Sequence, residues 1–187
     1  MHSLPDDAAL IIIDVQKGLD DARYGRRNNP QAEANIARLL DVWRRTCRPI
    51  FHIQHLSREP NSPLRPGQSG VEIKEIVKPL ADEPLIQKSV NNAFIGTDLE
   101  KRLRQSDYHS VVIAGLTTDH CVSTTARMAG DLGFNTFVVS DATATFDRVG
   151  PDGKLNDAEA VHQISLASLQ DEFATVTDTE SLLRQIE

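Results

Sequence analysis

The chain has 187 residues and a formal net charge of -7, with acidic and basic side chains mixed along its length. That length suits a single domain, taken here as 1–187, and the acidic balance disfavours nucleic acid and anionic membrane as partners, leaving a small molecule. No window approaches the roughly 20 apolar residues of a membrane span, and the start MHSLPDDAALIIID lacks the basic flank and longer apolar core of a secretory signal, which points to the cytoplasm.

AALIIID (8–14) reads as a buried strand ending on the carboxylate of Asp14. Asn29 followed by Pro30 has the form of a cap and first helical position, after which Ala32, Ile36, Leu39, Leu40 and Trp43 share one helical face. PIFHIQH (49–55) is the next strand, and SREPNSPLRPGQSG (57–70) is a long surface loop of the kind that shapes binding sites. PLIQK (84–88) is a short strand ending on Lys88. Thr97 with Glu100 has the capping-box spacing and opens DLEKRLRQ; Thr177 with Glu180 does the same for SLLRQI. VVIAG (111–115), NTFVVS (135–140) and FATVT (173–177) are further strands, and DRVGPDGKLND (147–157) is a second long loop. Short apolar runs alternating with helical patterns predict an α/β three-layer sandwich, an open, mainly parallel sheet with helices on both faces.

In such a sheet, ligands bind outside the carboxyl ends of the strands. Asp14, Lys88 and Cys121 all fall at strand exits, the last within GLTTDHCVSTTARMAGDLGF (115–134). A helix starting shortly before Cys121 lowers a thiol pKa from about 8.5 toward neutrality, and its free N–H groups suit an oxyanion. The competing reading is a small buried filler, since free cysteine is among the most buried residue types; Cys47, in RRTCRP, is read that way. With neither cysteine in a C-x-x-C or His/Cys cluster, no disulfide framework, metal site or cofactor is expected.

Asp14, directly after apolar residues, needs a partner, and Lys88 provides one while stabilising negative charge on sulfur. An acid beside a thiol takes its proton and returns one to a leaving amine. Alone, Asp14 equally suits a turn or cap and Lys88 a surface. His52 and His55 lie three apart on a strand and face opposite sides, so they are read as structural, with one pocket residue at most. His120 adjoins Cys121 at a helix start, where neighbours point apart, and is not assigned as its base. Phosphate-cradling glycine loops, H-E-x-x-H and G-x-S-x-G are absent.

IIIDVQ with Asp14 and Gln16, QKSVNNAFIGTDLE with Lys88 and Phe94, GLTTDHCVSTTARMA with Cys121, and VVSDATATF with Asp141 follow one another across nearly the whole chain. In this order and spacing the sequence resembles the isochorismatase-like cysteine hydrolase family, which includes nicotinamidases, N-carbamoylsarcosine amidases, and biuret and ureidoacrylate hydrolases. The resemblance implies a Rossmann-like sheet and a triad: Asp14 as proton carrier, Lys88 as its electrostatic partner and Cys121 as nucleophile. It also implies a non-proline cis peptide at Leu116–Thr117 that turns the Thr117 N–H beside that of Cys121 as an oxyanion hole. Gln16, Leu19, Asn92, Phe94 and Leu116 are the implied substrate-binding residues, with Asn28 and Asn91 nearby.

Departures from the family pattern narrow the expectation. Nicotinamidases carry a metal-binding Asp-x-His in the region matching FHIQHLS, where this chain has His55 and Ser57; the resemblance then implies no metal and disfavours nicotinamide. Leu19 replaces the aromatic residue that often follows D-x-Q. A retained cysteine favours hydrolysis of amide, ureide or carbamoyl compounds through a thioester over the isochorismatase reaction on a vinyl ether, which does not need the thiol. A non-catalytic binding or redox-sensing member is the third reading, and intact Asp14 and Lys88 argue against it. The resemblance further implies a homo-oligomer, dimer or tetramer, with the 57–70 loop over its own or a neighbouring subunit's site.

Overall fold

The computed structural model describes residues 4–186. In chain order its helices and strands are β1 (Ala9–Ile13), α1 (Ala32–Arg45), β2 (Ile50–His55), β3 (Leu85–Lys88), α2 (Leu99–Gln105), β4 (Ser110–Leu116), α3 (Ser123–Asp131), β5 (Asn135–Ala144), β6 (Arg148–Val149), β7 (Leu155–Asn156), α4 (Ala158–Ala167), β8 (Thr175–Thr177) and α5 (Thr179–Leu183). Six strands form one parallel sheet in the order β3-β2-β1-β4-β5-β8, while β6 and β7 make a small antiparallel hairpin. This is the α/β sandwich read from the sequence.

Helices cover both faces, which is why β1 and β4 are buried along their whole length. Alternate residues of β1 enter different cores. Leu10 and Ile12 pack with Ile36, Leu39, Leu40 and Trp43 of α1; Ile11 and Ile13 pack with Leu99 and Leu103 of α2 and Ala126 and Ala129 of α3. Burying one such large side chain contributes about 1.5–3 kcal/mol, so the central strands anchor the frame. Trp43 Nε1 donates to Ala8 O at 2.9 Å, which satisfies the polar atom of a fully buried ring.

The chain lays β2 and β3 to one side of β1, then returns to pair β4 with its other side. Strand order reverses at that point, and the crevice beyond the carboxyl ends of β1 and β4 becomes the natural ligand position. No helix among the described residues is long and apolar enough to cross a membrane.

Several local expectations are corrected. Asn29 does not cap α1: it has a φ of 42°, and its Nδ2 donates to Ser140 O and Thr143 O of β5 at 2.9 and 2.7 Å. Neither capping box forms. Glu100 accepts from Arg104 instead of reaching back, Thr97 Oγ1 donates to Ala93 O, and α5 is capped by Asp178, whose carboxylate accepts from Ser181 N. Asp141 lies within β5 rather than after it, and accepts from Thr179 N, Thr179 Oγ1 and Asn35 Nδ2, tying β5 to α5 and α1. Cys47 is not a buried filler: it is exposed, in a left-handed turn with φ 53° after α1.

Candidate active site

Asp14 is the first residue after β1 and has a φ of 52°. A left-handed aspartate costs of order 1–3 kcal/mol and persists where its surroundings hold it; here its N–H donates to Ile53 O of β2 at 3.0 Å. Lys88 ends β3, in register with His55 of β2, and its long side chain reaches past β2 to Asp14. Nζ lies 2.6 Å from Asp14 Oδ2, with the lysine side chain 0% and the aspartate 2% exposed. Cys121 sits in a π-helical turn, Thr118–Val122, that leads into α3. Just upstream, the Leu116–Thr117 peptide is cis, and Gly115 has a φ of 123° with space for a Cβ only 2.0 Å from Ile13 O. Glycine is therefore required where β4 presses against β1 before the turn.

The Lys88 ammonium stands among three acceptors: Asp14 Oδ2 at 2.6 Å, His55 Nδ1 at 3.0 Å and Cys121 Sγ at 3.5 Å. Donor atoms of Asp14, His55 and Cys121 lie within 4.8 Å of one another, a metal-like set of ligands already satisfied by an internal cation. Asn91 Oδ1 lies 3.8 Å from the sulfur. Asp14 Oδ1 is buried and has no hydrogen-bond partner among the described residues.

Burial raises the Asp14 pKa against the opposing pull of Lys88 and the Cys121 thiol. Burial also raises the Cys121 pKa, and the Asp14 charge adds to it while Lys88 opposes. The direction is opposite to the lowering expected from a helix start, because the sulfur is buried beside a carboxylate. At rest the sulfur holds its proton, with a carboxylate that burial has made more basic alongside. His55 is held down to about 4, by burial first and the Lys88 charge second, so its ring is neutral near pH 7.

Asp14, His55 and Cys121 form the floor of a cavity of about 280 Å³, with Lys88 beneath them. Leu19, Leu64 and Leu116 give it an apolar wall together with Tyr24 and Phe146, whose rings stack at 5.1 Å. His55, Ser57, Asn91 and Arg148 give it a polar one. The 57–70 loop contributes Ser57, Glu59, Ser62 and Leu64, so it covers the cavity of its own chain. Arg148 is anchored at the rim by Asp119, with Nε to Oδ2 at 2.7 Å. His120, at the same rim, has a side chain 53% exposed, and its ring faces Asp119.

Of the predicted residues, Asp14, Lys88 and Cys121 come together, and Leu19, Leu116 and Thr117 line the cavity. Gln16, Asn92 and Phe94 do not, because their polar or aromatic groups are engaged elsewhere. Gln16 is fully buried and brackets the His55 backbone, accepting from its N–H at 2.8 Å and donating to its carbonyl at 3.0 Å. Asn92 donates to Thr124 O and accepts from Phe94 N, and Phe94 stacks on Phe134. Asn28 binds Glu159 and Thr145 N. Tyr24, Phe146 and Arg148 were given no role from the sequence, and His55 showed only its position at a strand end.

A wider groove of about 550 Å³ lies at the opposite ends of β2 and β3, beside Cys47. Its arginines are paired, Arg44 with Glu83, Arg48 with Asp6 and Arg102 with Asp98.

Comparison with known proteins agrees with this fold. The isochorismatase domain model matches residues 8–181. The chain is 49% identical over 180 residues to the isochorismatase family protein YrdC of Bacillus subtilis, covering 96% of each. It is 27% identical over 192 residues to Nicotinamidase 3 of Arabidopsis thaliana, covering 96% of this chain and 88% of that one. A solved isochorismatase-family structure from Chromobacterium violaceum superimposes with a TM-score of 0.96 at 41% identity, over 100% of this chain and 96% of that one. With a matching domain model over most of its length and a near relative at almost half identity, the chain belongs to the isochorismatase family of hydrolases.

Proposed function

We propose that the protein hydrolyses a C–N bond in a small amide, ureide or carbamoyl compound through a thioester on Cys121. One observation carries this reading: a buried thiol and a buried carboxylate, both with raised pKa, share a single ammonium at the floor of a cavity. A proton passes between such a pair with little penalty, and Lys88 stabilises the thiolate that results.

In the first step Asp14 takes the Cys121 proton as the sulfur bonds to the substrate carbonyl carbon. The carbonyl oxygen becomes an oxyanion, for which the Thr117 and Cys121 N–H groups are the donors. The C–N bond then breaks, its electron pair staying on nitrogen, which takes the proton from Asp14 and leaves as ammonia or an amine. Water attacks the thioester, Asp14 accepts its proton, and the acid departs as sulfur regains the proton. The Asp14 Oδ1 left without a hydrogen-bond partner supports the proton-carrier role, since it leaves one carboxylate oxygen able to take up the Cys121 proton. The nicotinamidase relative supports amide hydrolysis as the reaction type, and a cavity of about 280 Å³ favours a small substrate.

Ammonia release from a panel of amides, ureides and carbamoyl compounds, with isochorismate as an ether control, tests the reading. Wild-type protein turns over a C–N substrate, and Cys121→Ala loses on the order of 10³-fold or more while keeping its fold. Undiminished ammonia release by Cys121→Ala, or turnover of isochorismate alone, contradicts it.

A further inference from the structure

We infer that His55 is a positioning and recognition residue of this site: Nδ1 fixes the Lys88 ammonium between Asp14 and Cys121, and Nε2–H donates a hydrogen bond to an acceptor on the substrate. The second half rests on the amide-hydrolase reading; the first does not.

The tautomer follows from the contact itself. An ammonium has three donors and no acceptor, so the 3.0 Å approach of Lys88 Nζ to Nδ1 is a hydrogen bond only if Nδ1 is unprotonated. The ring proton then lies on Nε2. Burial and the nearby Lys88 charge keep the ring neutral near pH 7, although Asp14 Oδ2 lies only 3.9 Å from Nδ1. With Asp14, His55 and Cys121 as acceptors, the three ammonium protons are all engaged, so the cation is held in one orientation.

The ring is placed from behind by Gln16, which holds both the N–H and the carbonyl of His55. Nε2 has no partner among the described residues, yet it is not one of the buried unpaired atoms, which are Asp14 Oδ1 and His52 Nδ1. His55 lines the cavity beside Ser57 and Asn91, so this N–H opens on the substrate. A donor at that point selects compounds carrying a second acceptor, such as another carbonyl oxygen, next to the scissile carbonyl. His52, on the same strand, contrasts with it: its Nε2 lies 2.8 Å from Glu83, on the far side of the sheet's edge from the site.

Long-range 1H–15N NMR of the imidazole tests the tautomer in the unmodified protein. The neutral Nε2–H form at pH 7 is expected; the Nδ1–H form or an imidazolium overturns the proposal. Positioning is read as peptide-resolved iodoacetamide alkylation of Cys121, with exposed Cys47 as internal reference. His55→Leu slows it about tenfold, the effect of losing one hydrogen bond to a charged group, whereas His55→Asn, whose amide oxygen replaces Nδ1, stays within about threefold. An unchanged or faster rate in His55→Leu overturns the positioning role. Recognition is read as protection of Cys121 by malonamide against butyramide: malonamide protects better in wild type, and His55→Asn loses the preference. Equal protection, or none, overturns the recognition role. Turnover by Cys121→Ala with the Nε2–H tautomer intact would instead remove the thioester reading and leave the positioning of Lys88 standing.

Discussion

Cys47 and Cys121 are the same thiol in opposite settings. Cys47 ends in an exposed left-handed turn after α1, at the amino-terminal side of the sheet. Cys121 is buried at the carboxyl side, where Lys88, Asp14 and Asn91 surround its sulfur. Their difference shows how strongly the surroundings of a buried thiol set its electrostatics. Removal from water and the Asp14 charge keep Cys121 protonated, but they also bring its proton to a carboxylate raised by the same burial. Lys88 then makes the ion pair after proton transfer tolerable. Cys47 has no such arrangement: it is exposed, with no base or ammonium beside its sulfur among the described residues.

The largest expected contrast is in turnover. Cys121→Ala loses on the order of 10³-fold or more, and Cys47→Ala stays within about twofold of wild type, measured as ammonia release. Asp14→Asn removes the proton carrier and lowers turnover by about 10² to 10⁴-fold. It also leaves the fully buried Lys88 ammonium without its countercharge, destabilising the fold by about 3–5 kcal/mol in urea titration. Gly115→Ala sharpens the structural side of the comparison. A Cβ would stand 2.0 Å from Ile13 O at a φ of 123°, so a loss of about 3 kcal/mol or more is expected in the same titration.

Acid stability should separate the two ends by a smaller margin. Near Cys47, burial opposes but does not prevent Arg44, the Leu80 N–H and His52 from holding Glu83 down to about 2. A depressed carboxylate stabilises above its ordinary pKa of 4.5, and that contribution is lost as pH falls toward 2. Near Cys121, His55 is depressed from 6.5 to about 4. The unfolded chain then binds its proton first, so stability is lost as pH falls from 6.5 to 4. In thermal melts against pH, Glu83→Gln flattens part of the lower window, which the lowered Glu33 and Asp119 share, and His55→Asn part of the upper one, which the lowered His52 and His162 share.

Much of this was legible because buried parallel strands are continuous apolar runs. AALIIID and PLIQK showed where strands end, and their last residues, Asp14 and Lys88, proved to be neighbours. What joins them was not legible: the order β3-β2-β1 decides that a lysine must reach past β2, and His55 enters the site through that register. Gln16 and Asn92 have the right chemistry for a pocket, but a sequence gives the type of an amide and not its direction. Tyr24, Phe146 and Arg148 come from segments without periodicity, placed only by tertiary packing. Helix α4 was hidden by the loop-like composition before it, although Asp157 caps it. The depth at which Cys121 is buried was not legible, because burial is a property of the fold.

In the proposed reaction the acyl group passes through Cys121. Acid-quenching turnover of a C–N substrate and mapping peptide masses tests it most directly, with hydroxylamine added to intercept a thioester. An acyl adduct is expected on the Cys121 peptide and none on the Cys47 peptide, with hydroxamate formed in its place when hydroxylamine is present. Steady turnover with Cys121 unmodified and no hydroxamate would contradict it.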